Sequence, residues 1–371
     1  MVSKRWLSWM TILVAVGCGN DGDTDATQDR GDAGAAGLGG SGGAGGSAGT
    51  AGSSGSAGTA GFAGSGGTAG MAGAAGAAGA SGEAGHGGSL PPPPCPTFDD
   101  GIENGTVASD DIDEASGMVW SRRNTDVLWV HNDSGDSARV FALDVTGTYL
   151  GEFSLPGQNA RDWEDMTLGP GPESGAEYLY LGDIGDNSEV RADIVVFRAK
   201  EPLLDLSSTP VVGTLDDFVG LRFTYPGGAN NAETLLSDPA TGDLYIVTKK
   251  SSGNSGVYRA AAPHDASATT ELESVATLHF GQAPLSGDPL ATAGDVTADG
   301  SWIAIRSYGR AYAWYRTPGT PLWEAFDDDP CPLPLRSEPQ GETFAWSPEG
   351  ERYVTVSENS SQPIYMFSLV P

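Results

Sequence analysis

Five times between residues 106 and 371 an acid stands directly before a small or apolar run. A second short run follows and ends in a charge. The openings are Glu114-Ala-Ser-Gly-Met118, Glu164-Asp-Met166, Glu233-Thr-Leu-Leu236, Asp295-Val-Thr297 and Glu342-Thr-Phe-Ala-Trp346. The closing charges are Asp133, Asp183, Lys249, Arg306 and Glu358. Successive openings are 50, 69, 62 and 47 residues apart, which suits four-stranded units joined by loops of variable length.

The runs themselves read as strands. Val127-Leu-Trp-Val130, Tyr178-Leu-Tyr-Leu181, Leu244-Tyr-Ile-Val247, Trp302-Ile-Ala-Ile305 and Tyr353-Val-Thr-Val356 are β-branched or aromatic, and Gly, Asp, Asn and Pro separate them. Asp299-Gly300 and Glu349-Gly350 read as hairpin turns between first and second strands. No amphipathic helix of three turns is evident. The expected fold is an all-β, five-bladed β-propeller. Six blades are the alternative, with Val211 to Leu215 as an extra strand in the long Glu164–Glu233 interval. The last unit shows three strands up to Phe367, so Thr106 to Asp113 is expected to supply its fourth and close the ring.

The chain before residue 95 has another character. Lys4 and Arg5 precede a largely apolar run of 11 residues, Trp6 to Val16, too short to span a bilayer. Leu13-Val-Ala-Val-Gly17-Cys18 resembles a bacterial lipoprotein lipobox, with Ala15 where that family usually has Leu. The resemblance implies a signal peptide over 1–17 and acylation of Cys18. The partner would then be a lipid bilayer, and the address the bacterial cell envelope, facing the periplasm or the exterior. Segment 18–94 reads as a flexible Gly/Ala/Ser-rich tether. Glycine recurs at every third position from Gly31 to Gly88, the collagen spacing, but without the proline that a collagen trimer needs. Segment 95–371 is the folded domain, expected to be monomeric. Once Cys18 is assigned to lipid, Cys95 and Cys331 remain. Both sit in Pro-Cys-Pro in an exported chain, which points to a disulfide, with two free thiols as the alternative.

With 49 acidic and 19 basic residues the net charge is −30, which repels nucleic acid. In an antiparallel pair, the start of one strand lies beside the end of the next. Both series of charges should therefore gather on one axial face. The expected set is Glu114, Asp133, Glu164, Asp183, Glu233, Asp295, Glu342 and Glu358 as ligands of a hard cation, Ca²⁺ first. Lys249 and Arg306 would neutralise the ring or hold an anionic ligand. His131, beside the cluster, reads as structural. No nucleophile elbow, HExxH, Walker or Rossmann pattern is present.

At Glu114-x-Ser-Gly117, Asp162-Trp-Glu-Asp165, Gly182-Asp-Ile-Gly-Asp-Asn187 with Arg191, and Gln340-Gly-Glu342, the chain resembles a group of bacterial exported β-propeller proteins. The likeness spans roughly residues 106–371. More distantly it is similar to phytase-like and other phosphoesterase-like propellers and to five-bladed calcium-activated nucleotidases. That likeness implies axial acids on Ca²⁺ and basic residues on phosphate. Two functions are therefore expected: a surface-tethered propeller that binds a small molecule or protein at an axial Ca²⁺ or ligand site, or a Ca²⁺-dependent phosphoesterase. The expected face is poor in the basic residues that phosphoesterases use.

Overall fold

The computed structural model describes residues 92–371; the leader, Cys18 and nearly all of the tether lie outside the described residues. Twenty-two strands form five sheets, one per blade. The first, β1 (Ile102–Thr106), precedes blade one. Blade one takes β2 (Ala115–Trp120), β3 (Val127–Asn132), β4 (Ser137–Asp144) and β5 (Tyr149–Asn159). Blade two takes β6 (Trp163–Pro170), β7 (Glu177–Asp183), β8 (Ile194–Lys200) and, beyond β9 (Val211–Thr214), β10 (Val219–Thr224). Blade three takes β11 (Ala232–Ser237), β12 (Leu244–Thr248), β13 (Asn254–Ala260) and, beyond β14 (Thr269–Glu271), β15 (Glu273–His279). Blade four holds β16 (Ala291–Val296), β17 (Trp302–Ser307), β18 (Ala311–Tyr315) and β19 (Cys331–Leu333). Blade five holds β20 (Ala345–Trp346), β21 (Arg352–Thr355) and β22 (Pro363–Ser368), with β1 as its outermost strand.

The five-bladed expectation holds, and among the described residues there is no sixth blade. The segment read as its strand, β9, lies parallel to β5 on the outer edge of blade one. β14 likewise lies parallel to β10 on blade two. Each covers an outer edge whose main chain would otherwise stay unpaired. Ring closure is also real, but it begins upstream of the expected segment. β1 pairs antiparallel with β22, with a bulge before Gly105. Residues 107–113 serve differently: Val107 and Ile112 are buried between blades five and one. β1 has no apolar alternation, because main-chain pairing rather than side-chain burial holds it.

Side chains alternate between the two faces of each sheet and so pack against both neighbouring blades. Trp129 joins a cluster with Met166 and Leu179 of blade two. Its neighbours Leu128 and Val130 pack instead with Val354 and Ile364 of blade five. Five such clusters fill the five seams between blades. The innermost strands β2, β11 and β16 are buried at every residue, and apart from Glu233 and Asp295 they carry small or apolar side chains. Each large side chain so buried contributes roughly 1.5–3 kcal/mol.

Cys95 and Cys331 form a disulfide with Cα atoms 5.4 Å apart, tying the segment before β1 to blade four. Three residues on, Phe98 bridges to Leu369 and packs edge-on against Tyr353 of blade five at 4.9 Å.

Candidate metal centre at the axial mouth

The five innermost strands start at one end of the channel, and four of them start with a bulge. Their registers shift between Ala115 and Met118, Trp163 and Asp165, Ala232 and Thr234, and Ala291 and Ala293. The residues at these irregular positions are Ser116, Glu164, Glu233 and Thr292. In blade five Gly341 bridges to Ser357, which puts Glu342 at the matching place. Three blades thus present a glutamate and two a hydroxyl. The hydroxyls lock blades together: Ser116 donates to the carbonyl of Glu164, and Thr292 to that of Gly341 at 3.0 Å.

Behind this first row stand Asp133, Lys249 and Glu358. Each closes the ladder by donating its backbone N–H to the innermost strand's entry, at Glu114 (2.8 Å), Asn231 (3.0 Å) and Gln340 (2.9 Å). Glu114 itself is exposed at the rim.

Three expected members have other employment. Asp295 lies three residues past the bulge position Thr292, towards the far end of the channel. There its carboxylate accepts from Val296 (2.8 Å) and from Trp346 of blade five (2.9 Å). Asp183 lies one position inside the ladder, opposite Trp163, in a 2.6 Å salt bridge with Arg191. Arg306 is fully buried, pairs with Glu338 at 2.8 Å and donates to the carbonyl of Thr343 at 2.9 Å. No ligand at the mouth can reach its guanidinium.

Asp165, next to Glu164, acts as a second strut. Its carboxylate accepts the backbone N–H of Met166 (2.8 Å), of Leu235 in blade three (2.9 Å) and of Gly294 in blade four (3.2 Å). Burial raises its pKa well above the ordinary carboxylate range, against the pull of these amides. His131 proves structural: it is fully buried, stands edge-on to Trp163 at 5.2 Å, and burial pushes its pKa down to about 4. A Cβ on Gly117 would come within 2.2 Å of its Nε2, which accounts for the glycine in Glu114-x-Ser-Gly117.

The two halves of the mouth differ in whether a cation meets their acids. On the side of blades three to five one cation answers part of the negative charge. Lys249 pairs with Glu233 and donates to the Tyr308 hydroxyl at 2.8 Å; that hydroxyl donates to Glu342 at 2.8 Å. Burial opposes the charge on Lys249, but the Glu233 carboxylate outweighs it and holds the ammonium above its usual pKa. Burial, a hydrogen bond shared with Glu342 and the negative charge of that group push Glu358 up to about 8.

On the side of blades one and two no such answer exists. Oxygens of Asp133, Asp162 and Glu164 lie within 4.8 Å of one another, and among the described residues none of the three enters a salt bridge. Burial, then the charges of Asp162, Glu342 and Glu114, push Asp133 up to about 6, partly offset by the amide of Ser134. Burial raises Asp162 too, with Arg191 opposing. Glu164 is only 2% exposed, and burial followed by the charges of Glu233, Asp133 and Asp162 raises its pKa strongly. No donor among the described residues answers its carboxylate.

The loop after β7 makes room for this trio. Gly185 donates its N–H to the carbonyl of Asp162 at 3.1 Å. A Cβ there would stand 2.1 Å from the Glu164 carboxylate and 2.6 Å from that of Asp162. Asp162 and Tyr308 are the members that the repeat pattern overlooked. Asp162 was detectable, since residues two apart at a strand entry share a face. Tyr308 holds the place in blade four that Lys249 holds in blade three, but a neutral residue escapes a search for charges.

No protein-family profile matches the chain, and no curated protein sequence matches it.

Proposed function

We propose that this is an exported, lipid-anchored β-propeller protein that binds Ca²⁺ at its axial mouth and uses the loaded mouth to capture a ligand. The observation that carries the reading is the trio Asp133, Asp162 and Glu164. It comprises three carboxylates from two adjacent blades, gathered within 4.8 Å, with the most buried of them unanswered. Two oxygens bonded to one Ca²⁺ stand at most about 5 Å apart, so the spacing suits that ion. A hard cation would also relieve the mutual repulsion that raises these pKa values. The remaining oxygen ligands Ca²⁺ requires would come from loop carbonyls, water and the captured ligand, which gives the ion a recognition role.

Phosphoester chemistry has less support from the same residues. It needs cations free to meet phosphate, and Lys249 is held by Glu233 while Arg306 is held by Glu338.

Calorimetric titration of the EGTA-treated domain with Ca²⁺ and with Mg²⁺ tests the metal. Saturable binding of Ca²⁺, with Mg²⁺ weaker, is expected; an absence of heat and of any melting shift up to millimolar Ca²⁺ would sink the reading. Mass spectrometry of the N-terminal peptide tests acylation at Cys18.

A further inference from the structure

We propose a second binding site, off the axis on the face opposite the carboxylate mouth, that takes a neutral hydroxyl-rich ligand, an oligosaccharide. Between blades three and four the loops that follow β11, β16 and β18 border an open cleft of about 650 Å³. That volume is typical of small-molecule sites. Its loops leave the opposite ends of the strands that open at the mouth, so the two sites share no residue.

The chemistry of the walls selects the ligand class. Trp323 is half-buried on the short 3₁₀ turn Leu322–Asp327, with the Arg259 guanidinium over one face of its ring at 5.1 Å and Tyr245 6.3 Å away. The part of the indole that Arg259 leaves uncovered offers apolar surface to the C–H groups of a sugar ring. Two arginines line the cleft, and both are already matched: Arg316 to Asp238 at 2.7 Å, and Arg259 to Asp243 at 2.7 Å. Asp299 adds a carboxylate without a cation. An anion would therefore find no free positive charge here.

Hydroxyl groups, which both donate and accept, match such fixed donor–acceptor pairs. The pairs themselves are anchored, since Arg316 also donates to the carbonyl of Thr320 at 2.8 Å. Tyr245, in the same wall, has a buried hydroxyl with no partner among the described residues. A group of that kind is costly to leave unbonded, and a hydroxyl-rich occupant supplies the bond.

Affinity electrophoresis through gels containing dextran, laminarin or galactomannan, with polygalacturonate as the anionic arm, tests the site. At least one neutral polysaccharide should retard the folded domain, equally with and without EGTA. Trp323→Ala should weaken retardation about tenfold or more, and Trp323→Phe should retain part of it. Tyr245→Phe, which removes one oxygen, should weaken it by roughly threefold to tenfold. Near-ultraviolet circular dichroism checks that each variant is folded. Retardation by no neutral polysaccharide, equal or greater retardation by polygalacturonate, loss of retardation with EGTA, or full retardation of both folded Trp323→Ala and Tyr245→Phe would each overturn the proposal.

Discussion

The carboxylate of Asp165 in blade two accepts the backbone N–H of Gly294 in blade four at 3.2 Å, across a separation of 129 residues. The bond skips a blade. Together with the bond to Leu235 it ties three innermost strands to one side chain at the centre of the molecule. Asp165→Ala would leave three buried amides without an acceptor. Unfolding in urea should show a loss on the order of 3–5 kcal/mol, and a loss under about 1 kcal/mol would contradict the strut.

Glu164 is expected to cost the metal-free domain stability, since its charge is buried beside other carboxylates. Glu164→Gln should raise the melting temperature in EGTA by ~2–4 °C, a gain of about 1 kcal/mol. The same change should abolish or strongly reduce the upward shift caused by Ca²⁺. Scanning calorimetry reads both effects, and an unchanged Ca²⁺ response would remove Glu164 from the metal site.

Gly185 is expected to matter for binding more than for folding. Its backbone needs no left-handed conformation, but an added methyl would intrude on the carboxylates of Glu164 and Asp162. Gly185→Ala should weaken Ca²⁺ at least about tenfold, since oxygen–metal geometry tolerates only tenths of an ångström. Titration calorimetry at constant pH measures this, and wild-type affinity would show that the loop is not part of the cradle.

The metal-free domain should lose stability as pH rises. Asp133 and Glu358 bind their protons more tightly in the folded state, with pKa values near about 6 and about 8. The stability so gained is complete below the unfolded carboxyl values of about 4 and disappears as pH climbs through the folded ones. Melting temperature in EGTA should therefore fall between about pH 4 and about pH 8. Protons and Ca²⁺ compete, so the shift produced by Ca²⁺ should grow over that interval. A Ca²⁺ shift that shrinks with rising pH would be incompatible with carboxylate ligands.

Cys331→Ser should lower stability by on the order of 2–5 kcal/mol, because the disulfide closes a very long loop. The separation of its two ends is 236 residues. Urea unfolding with and without reductant measures the effect; indifference of the wild type to reductant would mean that β1 alone secures the ring.

The architecture was legible because burial imposes it on composition. An innermost strand buried at every residue leaves small and apolar runs, and its entry at the mouth leaves an acid or a polar turn residue. Register was not legible. The bulges at Glu164, Glu233 and Thr292 shift the entries by one residue, and no side chain announces a bulge. Asp295 and Arg306 therefore matched the pattern of charges while standing at other levels of the channel. β9 was legible as a strand but not as the edge of blade one, since nothing local announces a parallel partner. β14 escaped altogether, because all three of its residues are exposed.

The disulfide precedes β1 in the chain, and that order decides how the domain would bear load. A pull applied at the N-terminal end of the described chain reaches Cys95 before it reaches Ile102. It passes through the sulfur bridge into Cys331 and so into blade four. The β1–β22 ladder then hangs behind the bridge, out of the line of tension. A propeller closed by hydrogen bonds alone would unzip from that end one pair at a time. Here a covalent bond would have to break before β1 could be peeled away from that end.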